Sequence, residues 1–272
     1  MNRLAIVAAV EPEVKPLGLS GDAEPVFKEI SELGYDGVEL LVKDPVTLEA
    51  GKIKKLAEKY NLSIPAIGTG PTYTAYGLSL SSSSRTVREK AIERIREYIK
   101  IGKKLNSKVI IGSVKGRPKD HKCGMKNLKS SLNKCVEYAE EMGTSILIEP
   151  LNRYESTIIN TLEEAIELKD EIGSEKIGVL ADTFHMNIEE RSIYESIIKA
   201  DGHLEHIHFA DSNRQAPGEG HLDFKQIMAA LKKVNYHSFI SAEILPLPNQ
   251  HDAAKRTIKY IKKNLLSSHS GQ

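Results

Sequence analysis

The chain has 272 residues, 40% of them hydrophobic and 28% charged, which is ordinary for a globular protein with a large core. Its 38 Lys and Arg residues nearly balance 37 Asp and Glu residues, giving a formal net charge of +1. This balance gives no electrostatic drive toward nucleic acid or an anionic membrane, so we expect neither as a partner. The first residues lack a secretory signal pattern, and Cys123 and Cys135 lack zinc-type spacing. We therefore expect a cytoplasmic protein with reduced thiols.

Short apolar runs alternate with longer helical patterns along the whole chain. Eight of these runs predict strands, at Leu4–Ala9, Gly37–Val42, Ile64–Gly68, Lys108–Val114, Ser145–Leu151, Ile177–Asp182, His206–Ala210 and Phe239–Ile244. A stretch with apolar residues at helical spacing follows each run. Two S/T-x-x-E sequences, Thr86 with Glu89 and Thr161 with Glu164, predict capping boxes at the starts of helices.

The number and order of these elements predict the fold class. Eight β-then-α units with nearly continuous apolar strands indicate an α/β fold, with a parallel sheet covered by helices. Because eight such strands close a barrel, we predict a single-domain (β/α)8 TIM barrel over residues 1–272, with residues 266–272 as a frayed tail. An open doubly wound sheet is the alternative, but it would carry a glycine-rich phosphate turn after the first strand. Val10-Glu11-Pro12-Glu13 stands there instead.

Acid or imidazole side chains recur at the ends of the last four predicted strands: Glu149, Asp182, His208 and Glu243. Each lies about 30 residues from the next, which is the length of one βα unit. Because the C-terminal ends of barrel strands meet at one mouth, we expect the four side chains to share one volume. Three carboxylates and one imidazole, with no thiolate, suit Mn²⁺, Mg²⁺ or Co²⁺ better than a structural Zn²⁺. The sequence therefore predicts a divalent-cation site that also holds two glutamates.

Two further ionisable residues lie on predicted strands. His206 shares strand parity with His208, but it lies farther from the mouth, so we expect it to form hydrogen bonds lower in the barrel. Glu39, on the second predicted strand, is interpreted as a buried glutamate bonded to the backbone or to a polar neighbour. The glycine-flanked segment GTGPTYTAYG after the third strand predicts a mobile lid carrying Tyr73 and Tyr76.

Several of these segments resemble a known family. IEPLNRYE, GVLADTFHMNIEE, HIHFADSNR and SAEILPLP resemble the sugar isomerase/epimerase superfamily with a xylose isomerase-like barrel, and within it the ketose 3-epimerase group. AIGTG, GLSL, VIIGSVKGR and APGEGHLDF are similar to bacterial 5-keto-L-gluconate epimerases. The similarity runs from about Leu4 to Leu265, essentially the whole chain. The absence of Trp departs from many ketose epimerases, which place aromatic residues near the substrate.

The resemblance implies an isomerase of carbohydrate metabolism that inverts C3 of a ketose or ketouronate through a metal-stabilised cis-enediolate. It implies one divalent metal ion, preferably Mn²⁺, held by Glu149, Asp182, His208 and Glu243. Glu149 and Glu243 would also act as the acid/base pair, one on each face of the reacting carbon. The group further implies a homo-oligomer, either a dimer or a tetramer, and a small-molecule sugar or keto-sugar acid as substrate.

Loop residues at the same mouth complete the predicted site. The resemblance implies substrate contacts from Glu155, His185 and Arg214. If the substrate is a ketouronate, Arg117 or Lys115 after the fourth strand could bind its far carboxylate.

Two other functions stay open. One is a metal-dependent sugar isomerase of the same fold, of the hydroxypyruvate or keto-inositol isomerase kind, which returns the proton to the neighbouring carbon. The other is a DNA-repair enzyme of the endonuclease IV kind. It would need more histidines at the mouth and a basic face, and the balanced charge argues against it.

Overall fold

Parallel strands form the centre of the fold. A computed structural model describes residues 2–11, 14 and 17–266. Residues 267–272 of the predicted tail and part of the loop after the first strand lie outside the described residues, whereas Leu266 ends a π-helical turn. The strands are β1 (Arg3–Ala9), β2 (Leu19–Ser20), β3 (Gly37–Leu41), β4 (Ala66–Gly68), β5 (Lys108–Ile111), β6 (Ile146–Ile148), β7 (Ile177–Asp182), β8 (Leu204–Phe209) and β9 (Phe239–Ala242).

The sheet closes on itself. The strands pair in the order β2-β1-β3-β4-β5-β6-β7-β8-β9, and β1 also pairs with β9. Each of these pairings is parallel. Among the described residues, the short strand β2 pairs only with Ala8 and Ala9 at the end of β1, so the other eight strands form the barrel. The predicted (β/α)8 barrel is therefore confirmed, and the open doubly wound sheet was the wrong alternative.

Helices cover the outside of the barrel. They are α1 (Ala23–Leu33), α2 (Ala50–Lys59), α3 (Gly70–Tyr76), α4 (Arg85–Leu105), α5 (His121–Met142), α6 (Leu162–Ile172), α7 (Thr183–Glu189), α8 (Ile193–Lys199), α9 (Phe224–Lys233) and α10 (Gln250–Ile261). A 3₁₀ turn at Ser113–Lys115 and a π-helical turn at Lys262–Leu266 complete the helical elements of the described residues. In that part of the chain, no helix has both the length and the apolar character that crossing a membrane requires.

The strands are buried on both faces, which explains their nearly continuous apolar sequences. Ala66, Ile110, Leu147 and Leu180 form a separate small cluster of buried residues, one from each of β4 to β7. Their sequence neighbours Ile146 and Ile148 belong to the large cluster that also includes residues of the surrounding helices. Because successive strand residues point to opposite faces, this alternation separates an inner layer from the helix-covered outer layer.

Local signals at helix starts had mixed outcomes. The predicted capping box at Thr161 and Glu164 is confirmed, because each side chain accepts a hydrogen bond from the other residue's backbone N–H. The prediction for Thr86 is wrong, because α4 begins at Arg85 and its N-cap is Ser84, two residues before Thr86. Thr86 therefore lies in the first turn of α4, and Arg88 Nη1 donates to the Ser82 and Ser83 carbonyls that precede the helix.

Two predicted segments change conformation where they reach the mouth. The fourth predicted strand ends at Ile111 instead of Val114, because Gly112 leaves the strand conformation and the 3₁₀ turn follows. The predicted lid segment forms α3, and residues Pro71, Thr74 and Ala75 of this helix line the cavity described below. Both segments therefore contribute to the mouth through short helical turns.

Candidate active site

The four predicted ligand residues meet at the C-terminal mouth of the barrel. Glu149 follows β6, Asp182 ends β7, His208 lies on β8 and Glu243 follows β9. One potential ligand atom from each lies within 4.8 Å of those of the other three, and all four residues are buried. His208 Nδ1 is 3.4 Å from Glu149 Oε1, 3.4 Å from Glu243 Oε2 and 3.7 Å from Asp182 Oδ2.

The geometry and the donor atoms of this cluster fit a divalent cation. Bond lengths of about 2.1 Å put opposite ligands of one ion about 4.2 Å apart, which is compatible with the observed spacing. Two of the atoms that face the cluster, Asp182 Oδ2 and His208 Nδ1, are buried without a hydrogen-bond partner among the described residues. Carboxylate oxygens with one imidazole nitrogen are ligands that Mn²⁺ and Mg²⁺ accept.

Opposite charges hold the cluster in its ionised form. Burial by itself would raise the pKa of Asp182, but His185, His208 and Arg214 outweigh it and hold that pKa below its ordinary value. Burial would lower the pKa of His208, yet the surrounding carboxylates, Glu39 foremost, raise it well above its ordinary value. A cation bound at His208 Nδ1 would take the place of the proton that this nitrogen carries when the imidazole is charged.

Arg214 brings a positive charge to the edge of the cluster. Its Nη2 donates to Glu243 Oε2 at 2.6 Å, and its guanidinium lies 4.7 Å from the centre of the Phe184 ring. Burial would lower the pKa of Arg214, but Glu243 and Asp182 raise it, so the side chain stays charged. The residue has a left-handed backbone with φ of 61°, and its N–H donates to the Asp211 carbonyl. The loop after β8 is thus bent to direct Arg214 inward.

His185 and Glu155 are joined by Asn152, a residue that the sequence analysis missed. The Asn152 backbone N–H donates to His185 Nδ1 at 3.2 Å, and its side-chain amide donates to Glu155 Oε1 at 3.0 Å. Because Nδ1 accepts a hydrogen bond from the Asn152 N–H, the ring N–H of His185 is the one on Nε2, which lies 3.8 Å from Asp182 Oδ2. The signal for Asn152 was its position in EPLNRYE, between two glutamates of the site.

A cavity of about 580 Å³ opens above the cluster. Glu149, His208 and Glu243 line it, as do the predicted contact residues Glu155, His185 and Arg214. Lys43 and Gly112, which were not predicted to be in the site, also line it, as does Pro71 of the predicted lid segment. The volume and the polar groups suit a small polyhydroxylated molecule.

The two basic residues predicted after the fourth strand lie elsewhere. Arg117 is not among the described residues that line the cavity, and its Nη1 donates to the Tyr154 carbonyl at 2.9 Å. Lys115 is fully buried, and its Nζ donates to the Gly112 carbonyl at 3.1 Å and also to the Glu149 carbonyl. Burial lowers the pKa of Lys115 to about 8. Lys115 thus holds the backbone at Glu149 in place through its hydrogen bond to the Glu149 carbonyl.

The closed barrel and its polar cavity define a barrel enzyme with its site at the C-terminal mouth. The family model described as "Xylose isomerase-like TIM barrel" matches residues 27–264, and the chain belongs to this family. As the sequence predicted, it is an enzyme of the sugar isomerase/epimerase superfamily.

Individual relatives agree with this assignment. A D-psicose 3-epimerase from Agrobacterium fabrum (strain C58 / ATCC 33970) is 29% identical over 229 residues, covering 80% of this chain and 78% of the relative. A 3-dehydro-D-guloside 4-epimerase from Escherichia coli (strain K12) is 28% identical over 228 residues, covering 80% and 85%. The crystal structure of D-allulose 3-epimerase from Methylomonas sp. in complex with D-allulose superposes with a TM-score of 0.82 at 24% identity, covering 96% and 97%. This last similarity supports the fold.

Proposed function

We propose that the protein is a divalent-metal-dependent epimerase that inverts C3 of a ketose. The observation that carries this proposal is the convergence of Glu149 and Glu243 on His208. The two glutamates come from β6 and β9, which are separated by two barrel strands, yet each lies 3.4 Å from His208 Nδ1. Inversion needs two proton-transfer groups that approach one carbon from different sides, and this pair provides them.

The proton transfers are assigned to these two carboxylates. A hydrogen on the carbon next to a ketone is weakly acidic, so Glu243 removes it from C3 of one epimer. Glu149 then returns a proton to the opposite face, and the roles exchange in the reverse direction. The hydrogen bond from Arg214 to Glu243 Oε2 holds that carboxylate in place.

The negative charge that develops on the substrate oxygens needs compensation. A divalent cation held by Glu149, Asp182, His208 and Glu243, with Mn²⁺ preferred over Mg²⁺ or Co²⁺, would supply positive charge at the ketone oxygen and its neighbouring hydroxyl. The Nε2–H of His185 can donate a hydrogen bond to the same oxygens, and Arg214 adds a second positive group. Glu155 then contacts a substrate hydroxyl.

A ketouronate such as 5-keto-L-gluconate is the finer proposal for the substrate. Besides Arg214, the basic residue among the described residues that line the cavity is Lys43, which is half-buried after β3. Its ammonium group would attract a carboxylate at the far end of the sugar. Arg117 stays a predicted carboxylate contact, but it would first have to leave the Tyr154 carbonyl. A homo-oligomer without a nucleic-acid partner completes the proposal.

Solvent isotope exchange tests the reaction. The Mn²⁺-loaded enzyme is incubated in D₂O with D-psicose, L-ribulose or 5-keto-L-gluconate, and the products are followed by NMR. We expect deuterium, together with the inverted epimer, on the CHOH carbon next to the ketone, which is C3 of D-psicose and L-ribulose and C4 of 5-keto-L-gluconate. With the two ketoses, label at C1 or C2 would instead identify an aldose–ketose isomerase, and label at C4 a 4-epimerase. Full turnover in exhaustively metal-free protein would contradict the metal requirement.

A single substitution tests the acid/base assignment. Glu243→Gln keeps the size of the side chain but cannot accept the proton, so exchange at C3 should stop while the metal-free protein stays folded. Glu205→Gln is the matched control, because Glu205 forms an ion pair with Lys108 near the start of β8, at the end away from the mouth. Wild-type exchange in Glu243→Gln would place the base elsewhere.

A further inference from the structure

Glu39 is a completely buried carboxylate below the predicted cation site. It lies on β3, and its partners His206 and His208 come from β8, so the contact joins two strands that are not neighbours in the barrel. His206 Nε2 is 2.8 Å from Glu39 Oε2. His208 Nε2 is 3.2 Å from the same oxygen and 3.0 Å from Oε1. The Glu39 carboxylate therefore lies within hydrogen-bonding distance of both imidazoles.

The chemistry of this contact fixes where the protons are. An ionised carboxylate only accepts hydrogen bonds, so the Nε2 atom of each histidine must be the donor. In neutral His208 the lone pair then lies on Nδ1. That atom is 3.4 Å from both Glu149 and Glu243, and no described residue donates or accepts a hydrogen bond there. The bond to Glu39 leaves His208 with its free nitrogen directed at the carboxylate cluster.

We propose that Glu39 is a positioning residue that selects Nδ1 of His208 as the metal-binding nitrogen and fixes the orientation of its ring. The proposal rests on the proposed function, because it needs the cation site at Glu149, Asp182, His208 and Glu243. His206 holds Glu39 in turn, since its hydrogen bond occupies Oε2 and prevents the carboxylate from turning away. A carboxylate behind a ligating histidine also makes the imidazole a stronger ligand.

The potential ligand atoms of Glu39, His206 and His208 also lie close enough together to surround an ion themselves. Nitrogen–oxygen distances of 2.8 and 3.2 Å are hydrogen-bond lengths, so Glu39 Oε2 is bonded to both imidazoles without an ion, whereas Oε1 has no hydrogen-bond partner among the described residues. A second cation bound among Glu39, His206 and His208 would therefore be a separate outcome of a titration with Mn²⁺.

Calorimetric titration with Mn²⁺ measures the proposed effect without relying on turnover. We expect Glu39→Gln to bind Mn²⁺ about 10- to 100-fold more weakly than the wild type. Glu205→Gln makes the same chemical change on β8 away from the mouth, and it should bind like the wild type. Unchanged affinity in Glu39→Gln overturns the proposal, and so does the loss of one of two bound equivalents, which would make Glu39 a ligand. A wild-type protein that binds no Mn²⁺ refutes the proposed metal-dependent function as well.

A spectroscopic measurement on the wild type covers the case in which Glu39→Gln does not fold. In the Mg²⁺-loaded protein, ¹⁵N NMR should find His208 protonated at Nε2 and unprotonated at Nδ1. The opposite assignment refutes the proposal even if Mg²⁺ binds. A role of Glu39 in stability alone would lower the unfolding midpoint of metal-free Glu39→Gln without changing the protonation pattern or the Mn²⁺ affinity.

Discussion

Gly112 lies against the carboxylate of Glu149, so Gly112→Ala disturbs the proposed site without removing any functional group. A Cβ at residue 112 would overlap Glu149 Oε2 and lie 3.4 Å from Cδ, and its nearest atoms all belong to this side chain. To restore ordinary contact, Oε2 must move by about 1 Å, and a misplacement of that size can cost about 100-fold in rate. The barrel strands need not move, because the flexible end of the Glu149 side chain can shift away from the added methyl group. We therefore expect kcat to fall about 100-fold, with weaker Mn²⁺ binding, in a protein that still folds.

Gly70→Ala is the matched control for this substitution. Gly70 also lines the cavity, but a Cβ there would meet only Ser113 Oγ, at an ordinary contact distance of 3.8 Å. The assay is turnover of D-psicose by the Mn²⁺-loaded wild type and both variants, with Mn²⁺ affinity measured by calorimetry. Wild-type turnover and affinity in Gly112→Ala would refute the reasoning, because Glu149 would then tolerate displacement. An equal loss in Gly70→Ala would also refute it.

Two further predictions concern the helix cap and the substrate carboxylate. Thr161→Ala removes the side chain that accepts from the Glu164 N–H, so the free energy of unfolding in urea should fall by about 1 kcal/mol. Thr86→Ala should not lower it, because Thr86 caps nothing, and an equal loss in both variants would contradict the capping argument. Lys43→Met should lower kcat/KM for 5-keto-L-gluconate by at least about tenfold and leave D-psicose turnover unchanged, since a hydrogen bond to a charged group contributes about 1.5–3 kcal/mol. A larger selective loss in Arg117→Ala would instead assign the carboxylate to Arg117.

The fold could be predicted because its determinants are local and repeated. The run at Ile177–Asp182 was bounded correctly as β7, since a strand buried on both faces is apolar along its whole length. The boundary at Val114 failed because Gly112 and the following turn bend the chain toward the mouth. The capping prediction at Thr86 failed because the helix begins at Arg85, which places Thr86 inside the first turn instead of before it.

The candidate site could be predicted only in part. Glu149 and Asp182 were accessible because a strand end fixes both the position and the direction of a side chain. Asn152, Lys43 and Gly112 were missed because their importance depends on how close separate segments come in space. Neither spacing nor periodicity in one segment carries that information.

Asp182 couples the end of a strand to the start of a helix without any intervening loop. Its Oδ1 accepts from the Phe184 N–H at 2.7 Å as the N-cap of α7, while its Oδ2 faces the cluster. His185, three residues on, is therefore positioned relative to the cluster by the same carboxylate. The cavity thus has a constrained half, built from β6 to β9, and an independent half, where Lys43 and Pro71 come from the segments after β3 and β4. Substitutions in the segments after β3 and β4 can therefore change which substrate is preferred, while Glu149 and Glu243 stay in place.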